Sequence, residues 1–157
     1  MARHPSNTGY VQPYKSDGVQ QTESATEFGR GTYTLASSST YLFPIGGADS
    51  PVTSAHCQWD AAIVITSITV EDCNMHTTEV TDYSTTAGHW IDEDPTTAFV
   101  GVVGAGVSQT NGVVAATGGA LGGCMFHIAD NGARRLRLKV VVAGTGGEFR
   151  CAAWGKE

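Results

Sequence analysis

Apolar and polar positions alternate along most of this chain, with the period of an extended strand. The clearest run is "RRLRLKVVV" at 134–142: Leu136, Leu138, Val140 and Val142 share one face, and Arg135, Arg137 and Lys139 share the other. After "AGTGG" the run "EFRCAAW" follows as a partner strand, with Phe149, Cys151 and Ala153 as its inward set. The run "AAIVITSITV" is apolar on both alternating faces and predicts a central strand between two layers. Nowhere does the apolar repeat of a helix emerge. The pattern predicts strands at about 32–36, 40–45, 59–70, 75–82, 88–91, 98–107, 113–116, 124–129, 134–143 and 148–154. Between them stand turn formers: "SSS", "IGGADSP", "EDPT", "TNG", "TGGALGG", "DNG" and "GTGG".

Composition strengthens the all-β reading. There are 15 Val and 19 Thr against 5 Leu, with 20 Gly. β-Branched side chains are already restricted at χ1 and fit a pleated surface, whereas Leu and Ala favour helix. The 157 residues fit one domain with one core and no internal repeat. Residues 1–31 differ from the remainder: they are polar, carry Pro5 and Pro13, and show no apolar alternation. Such a segment buries too little to offset its chain entropy alone, so an extended N-terminal arm needs something to lie against. Stretched out it would reach on the order of 100 Å, far enough to meet another subunit. The domain expectation is therefore an arm at 1–31 and a β-sandwich body at 32–157.

Charge narrows the function classes. The net charge is −6, which argues against nucleic acid and against an anionic membrane surface. "MARHPSNTGY" lacks the apolar core of a secretory signal, and "AFVGVVGAGV" is too short to span a bilayer, so cytosolic synthesis with reduced thiols is expected. Six of the nine basic residues (Arg134, Arg135, Arg137, Lys139, Arg150 and Lys156) crowd the C-terminal end, while 31–133 contains no Lys or Arg and ten acids. The row Arg135, Arg137, Lys139, spaced about 7 Å apart, has three readings. It meets the protein's own acids, such as those of "VED" or "IDED"; it faces an acidic neighbour in an assembly; or it protects a sheet edge.

Candidate chemistry is sparse. Cys73/His76 in "CNMH" and Cys124/His127 in "CMFH" have Cys-x-x-His spacing, but in a strand residues i and i+3 point to opposite faces, so buried thiols are favoured over zinc. Asp92, Glu93 and Asp94 in "IDED" lack the alternating ligands of a calcium loop and read as a solvated acidic turn. "TGGALGGC" has no Lys-Ser/Thr and opens no helix, so it reads as a flexible hairpin loop or a close-packing contact rather than a phosphate cradle. No Gly-x-Ser-x-Gly elbow is present. The chain is read as non-catalytic, without cofactor or metal. Trp59, Trp90 and Trp154 are expected in core or interface, with a sugar-stacking platform as the competing reading.

A polar arm, a Val/Thr/Gly-rich all-β domain and the terminal hairpin "NGARRLRLKVVVAGTGG" together give a layout that resembles the small jelly-roll decoration, or cement, proteins on the heads of tailed bacteriophages. The resemblance implies a jelly-roll-like antiparallel β-sandwich, often trimeric, seated on the outer capsid lattice. It implies the major capsid protein and neighbouring copies as partners, and residence on the virion exterior after synthesis in the host cytoplasm. The arm would clamp neighbouring subunits, and no catalytic residues carry over. On this reading the contact residues are Arg3, Tyr10, Tyr14, Lys15, Arg30, Arg135, Arg137 and Lys139. The alternative is a carbohydrate- or receptor-binding β-sandwich module of a virion fibre or surface.

Overall fold

The computed structural model describes residues 9–24, 28–47, 52–93, 98–128 and 133–155, with backbone alone at Ala98. Among these the chain forms strands and no helix. In chain order the strands are β1 (Tyr14–Lys15), β2 (Tyr33–Leu35), β3 (Thr40–Gly47), β4 (Ser54–Trp59), β5 (Ile65–Cys73), β6 (Ile91–Asp92), β7 (Ala98–Val103), β8 (Val107–Thr110), β9 (Val113–Ala116), β10 (Gly122–Ile128), β11 (Arg135–Val142) and β12 (Gly147–Trp154).

They make two antiparallel sheets, one ordered β2-β12-β4-β10-β7 and the other β1-β3-β11-β5-β9-β8, with β6 added beside β5. Within them β2-β12-β4-β10 lies across from β3-β11-β5-β9, the eight-strand order of a jelly roll. Each connection among those eight strands changes sheet, except the long return from β5 to β9.

The inner faces interdigitate along the alternation read from sequence. Leu136, Leu138, Val140 and Val142 of β11 are buried, as are Phe149, Cys151 and Ala153 of β12. At the centre the Phe149 ring stacks on Trp59 with centroids 5.9 Å apart and tilts against Phe43 at 5.2 Å. Gly122 lies flat against the Trp59 indole, where a Cβ would come within 2.5 Å of Nε1; of the two readings of "TGGALGGC", close packing is the one that holds.

Five strand expectations are corrected. β12 is not the hairpin partner of β11, because the chain changes sheet between them. At 88–91 a turn at Gly88 and His89 leads into the short β6. The run expected at 59–70 is two strands in different sheets, with a corner at Asp60–Val64. Asp60 builds that corner: Oδ1 accepts from the N–H groups of Ala62 and Ile63, and Oδ2 accepts from Glu148 N. The run expected at 75–82 is a turn. His76 O accepts from Glu79 and Val80 N–H groups, and His76 Nδ1 accepts from Thr78 N, so local bonds displace the extended form that the β-branched residues favour. The strand expected at 98–107 ends at Val103, where Gly104 and Gly106 turn with φ of +116° and +75° into β8.

The expectation of a single core is also corrected. Cys73, Val80 and Trp90 form a small second cluster, separate from the main one. It sits on the outer face of β5 and β11, under the segment 74–93.

The arm has its partner within the chain over 9–24. Val11 N donates to Cys151 O at 2.8 Å and Ala153 N to Gly9 O at 3.1 Å, continuing the edge of β12 beyond β2. Four residues on, Tyr14 and Lys15 pair with Leu42 and Tyr41 of β3 in the other sheet. Val11 itself joins the main core. One short segment thus closes the same side of both sheets.

The core predicts a graded response. Phe149→Ala is expected to cost about 3–5 kcal/mol, read as a lowered midpoint of urea unfolding. Val19→Ala, at a site 57% exposed, is expected to stay within about 0.5 kcal/mol of the parent protein.

Candidate docking surface

The basic row on β11 is the strongest sequence signal, and most of it is turned inward by the segment 74–93. Arg137 stands opposite Glu71 of β5. Its Nε donates to Glu71 Oε1 at 2.8 Å, and Nη1 donates to Asp82 O at 2.8 Å and Ser84 O at 3.1 Å. The guanidinium plane lies 4.0 Å from the Trp90 ring centre, and the residue is 3% exposed. Burial pushes the Arg137 pKa down, and the Glu71 carboxylate opposes that shift. Arg135 binds Asp82 Oδ1 at 3.1 Å, Met75 O at 3.3 Å and Cys73 Sγ at 3.7 Å, with Trp90 on one flank.

The protein's own acids therefore take two of the three charges, one of them in "VED". Arg137 is corrected from a surface contact to an interior group, because an ion this buried has no face left for a neighbour. Lys139 is half-buried beside a groove of about 280 Å³ that Thr40, Leu42, Ser84, Thr85 and Trp90 also line, and it forms no ion pair with a described residue. The sugar-platform reading of Trp90 is corrected for the same reason: Arg135 and Arg137 flank its ring and only 7% of the residue is exposed. Trp59 is core, and Trp154 is half-exposed at the end of β12.

Two of the remaining contact candidates, Tyr10 and Arg30, meet a residue that was counted in the basic cluster but not singled out. Arg150 points outward from β12 on the opposite face from Phe149 and Cys151, which is the signal that marked it. Its Nε donates to Gln58 Oε1 at 2.7 Å, and Nη1 reaches Phe28 O at 2.9 Å, Tyr10 OH at 3.1 Å and Arg30 O at 3.3 Å. Its guanidinium also covers the Tyr10 and Phe28 rings, at 4.9 and 5.5 Å. One cation thus ties both limbs of the N-terminal segment to the sheet. Tyr10 packs against Gly31, whose φ of +77° and contact with the ring leave no room for a side chain.

Tyr14 reaches the other way, to Tyr83 of the 74–93 segment, with centroids 5.3 Å apart. Lys15 is half-buried, and the Arg30 side chain is exposed. Arg3 lies outside the described residues, as does Asp94 of the acidic turn. Asp92 is exposed, but Glu93 is buried, its N–H donating to Val70 O; the fully solvated turn is corrected there.

The thiols face inward. Cys124, Cys57 and Cys151 stand in register on β10, β4 and β12, all buried and all free. His127 points out from the sheet, opposite Cys124, and His76 is exposed on its turn while Cys73 is covered, so neither Cys-x-x-His pair converges. Burial pushes the Cys57 thiol well up, and the neighbouring Cys124 and Cys151 add to it. Burial, with Glu23 nearby, also raises Tyr33.

Comparison with protein-family models, with curated proteins and with solved structures finds no match.

Two predictions follow from these groups. Glu71→Gln leaves the Arg137 charge buried without its counterion and is expected to cost about 3–5 kcal/mol; Glu71→Leu combined with Arg137→Met recovers most of the loss in chemical denaturation. The second concerns pH. Cys57 and Tyr33 keep their protons in the folded chain beyond the pH at which the unfolded chain releases them. Stability from these groups is constant below the ordinary thiol range and falls as pH rises through it. Urea midpoints measured from neutral to alkaline pH are expected to fall, less steeply in a Cys57→Ala, Tyr33→Phe variant.

Proposed function

We propose that this chain is a virion structural protein that decorates and stabilises the outer lattice of a phage capsid through spread, non-catalytic contacts. The observation that carries the reading is the jelly-roll strand order with an N-terminal segment laid over the same side of both sheets. It rests on fold-level analogy joined to the sequence layout. The low content of charged residues, 15%, and the abundance of Gly and Thr suit broad, repeated, wet interfaces. The partners are the major capsid protein and neighbouring copies of the chain. Tyr10, Tyr14, Lys15, Arg30, Arg135 and Lys139 are the described residues kept as contact candidates, since each retains exposed surface. Many copies on one particle would multiply weak contacts by avidity.

The test is cosedimentation with capsids assembled from the major capsid protein of the same genome. Saturable binding is expected, with a stoichiometry set by the lattice and a higher temperature of capsid disruption. Absence of binding at every ratio overturns the reading.

A further inference from the structure

The two sides of the sandwich are finished differently. On one side Gly9–Val11 and β1 lie along both sheets, with Lys15, Asp17, Glu23 and Arg30 in the surrounding chain. On the other side the sheets end in β7 and β8, joined by the turn at Gly104–Gly106. Among the described residues no strand lies beyond β7. From Pro95 to Ala129 the sequence has no Asp, Glu, Lys or Arg, and this stretch supplies β7, β8, β9 and β10.

Natural sheet edges are blunted by charges, proline, bulges or short length. β7 uses none of these. Its six residues carry neither charge nor proline, and its register with β10 runs unbroken from Ala98↔Ile128 to Val103↔Gly123. It also exposes large apolar side chains: Phe99 is 72% exposed and Val103 is 69% exposed, while Val100 between them enters the core.

We propose that β7 is a self-association edge, on which two copies of this chain pair antiparallel about a twofold axis at Gly101. Three observations select a second copy as the occupant. The chain carries a net charge of −6, so two copies repel, and a side free of charge lets them approach without placing like charges together. The strand is complementary to itself. With Gly101 opposite Gly101 of the partner subunit, Phe99 falls opposite Val103 of the partner subunit, and Val103 opposite the partner's Phe99. Aromatic against β-branched is a favourable cross-strand pair. At the axis Gly101 has no atom within 4 Å of the place a Cβ would take, so the rings on either side have space to close over it.

Pairing of this kind is isologous: it consumes both edges and stops at two. It therefore gives a dimer, in contrast to the threefold assembly that the sequence resemblance implies. The two sheets that end in β7 become one continuous sheet across the axis. The inference concerns the free protein and stands whether or not the chain binds a capsid.

The test is native mass and light scattering of the full chain across the micromolar range. A species of twice 16.4 kDa is expected. Phe99→Glu alone and Val103→Lys alone are each expected to weaken the dimer about tenfold or more. The two together place the introduced carboxylate opposite the introduced ammonium twice across the axis, and they are expected to restore it. Both sites are largely exposed, so at concentrations where the parent is monomeric the single variants should melt with it. Amide exchange along β7 that slows with rising concentration of the parent protein gives the same answer without any substitution.

A monomer at all concentrations overturns the proposal, as does a trimer, an open-ended aggregate, or a dimer that neither single variant weakens. Failure of the double variant to recover overturns the register at Gly101.

Discussion

The guanidinium of Arg137 organises the outer face of the larger sheet. Without a counterion a buried guanidinium would destabilise the fold, so the site exists because Glu71 stands opposite on the neighbouring strand. Once paired, the same group binds the backbone of Asp82 and Ser84 and carries the Trp90 ring. The segment 74–93 buries little apolar surface: Val80 and Trp90, with Cys73 of β5, make up the second cluster. A charge-assisted anchor supplies what burial there does not. Through Tyr83 the anchored segment then meets Tyr14, and through Tyr14 the N-terminal segment.

Arg150 performs a related task on the other sheet by simpler means. It is only half-buried, and it collects carbonyl and hydroxyl oxygens from residues far apart in sequence. The two arginines explain why the basic residues crowd β11 and β12, which lie in different sheets. β11 and β12 occupy interior positions in the two sheets, so their outward faces lie beneath whatever covers each sheet. Cations placed there reach both the covering segments and the strands alongside.

The faces of β11 and β12 were legible because a period of two assigns each side chain to one side, and the core obeys that assignment at Leu136, Leu138, Phe149 and Cys151. The sandwich class was legible from Val, Thr and Gly content. The corner at Asp60 was not, because alternation continues across a change of sheet; only the Asx-type bonds of Asp60 mark the break. The turn at 76–80 hid behind Thr-rich sequence whose side chains bond locally instead of pairing with a strand. Trp90 was read as core or interface and is buried, whereas Glu93 was misread because its burial depends on chain that arrives from elsewhere, and no local pattern carries that. Of the proposed contact surface, the cationic row was visible as a pattern, but its direction of use was fixed by Glu71 and Asp82, which lie more than fifty residues away in sequence.

The position of β12 has a consequence for how the chain is made. Residues 147–154 lie between β2 and β4, and they also receive the strand-like bonds of Gly9 and Val11. During translation, the early strands of that sheet emerge first and have no neighbour on the side that β12 will fill. They must wait for nearly ninety further residues after β4 before β12 begins to fill the gap. Folding dominated by such distant pairings is slow, and unpaired strands are exposed to other chains meanwhile. A nascent chain stalled before residue 147 thus leaves the ribosome with a slot in the middle of its sheet, open to any strand in the cell that fits.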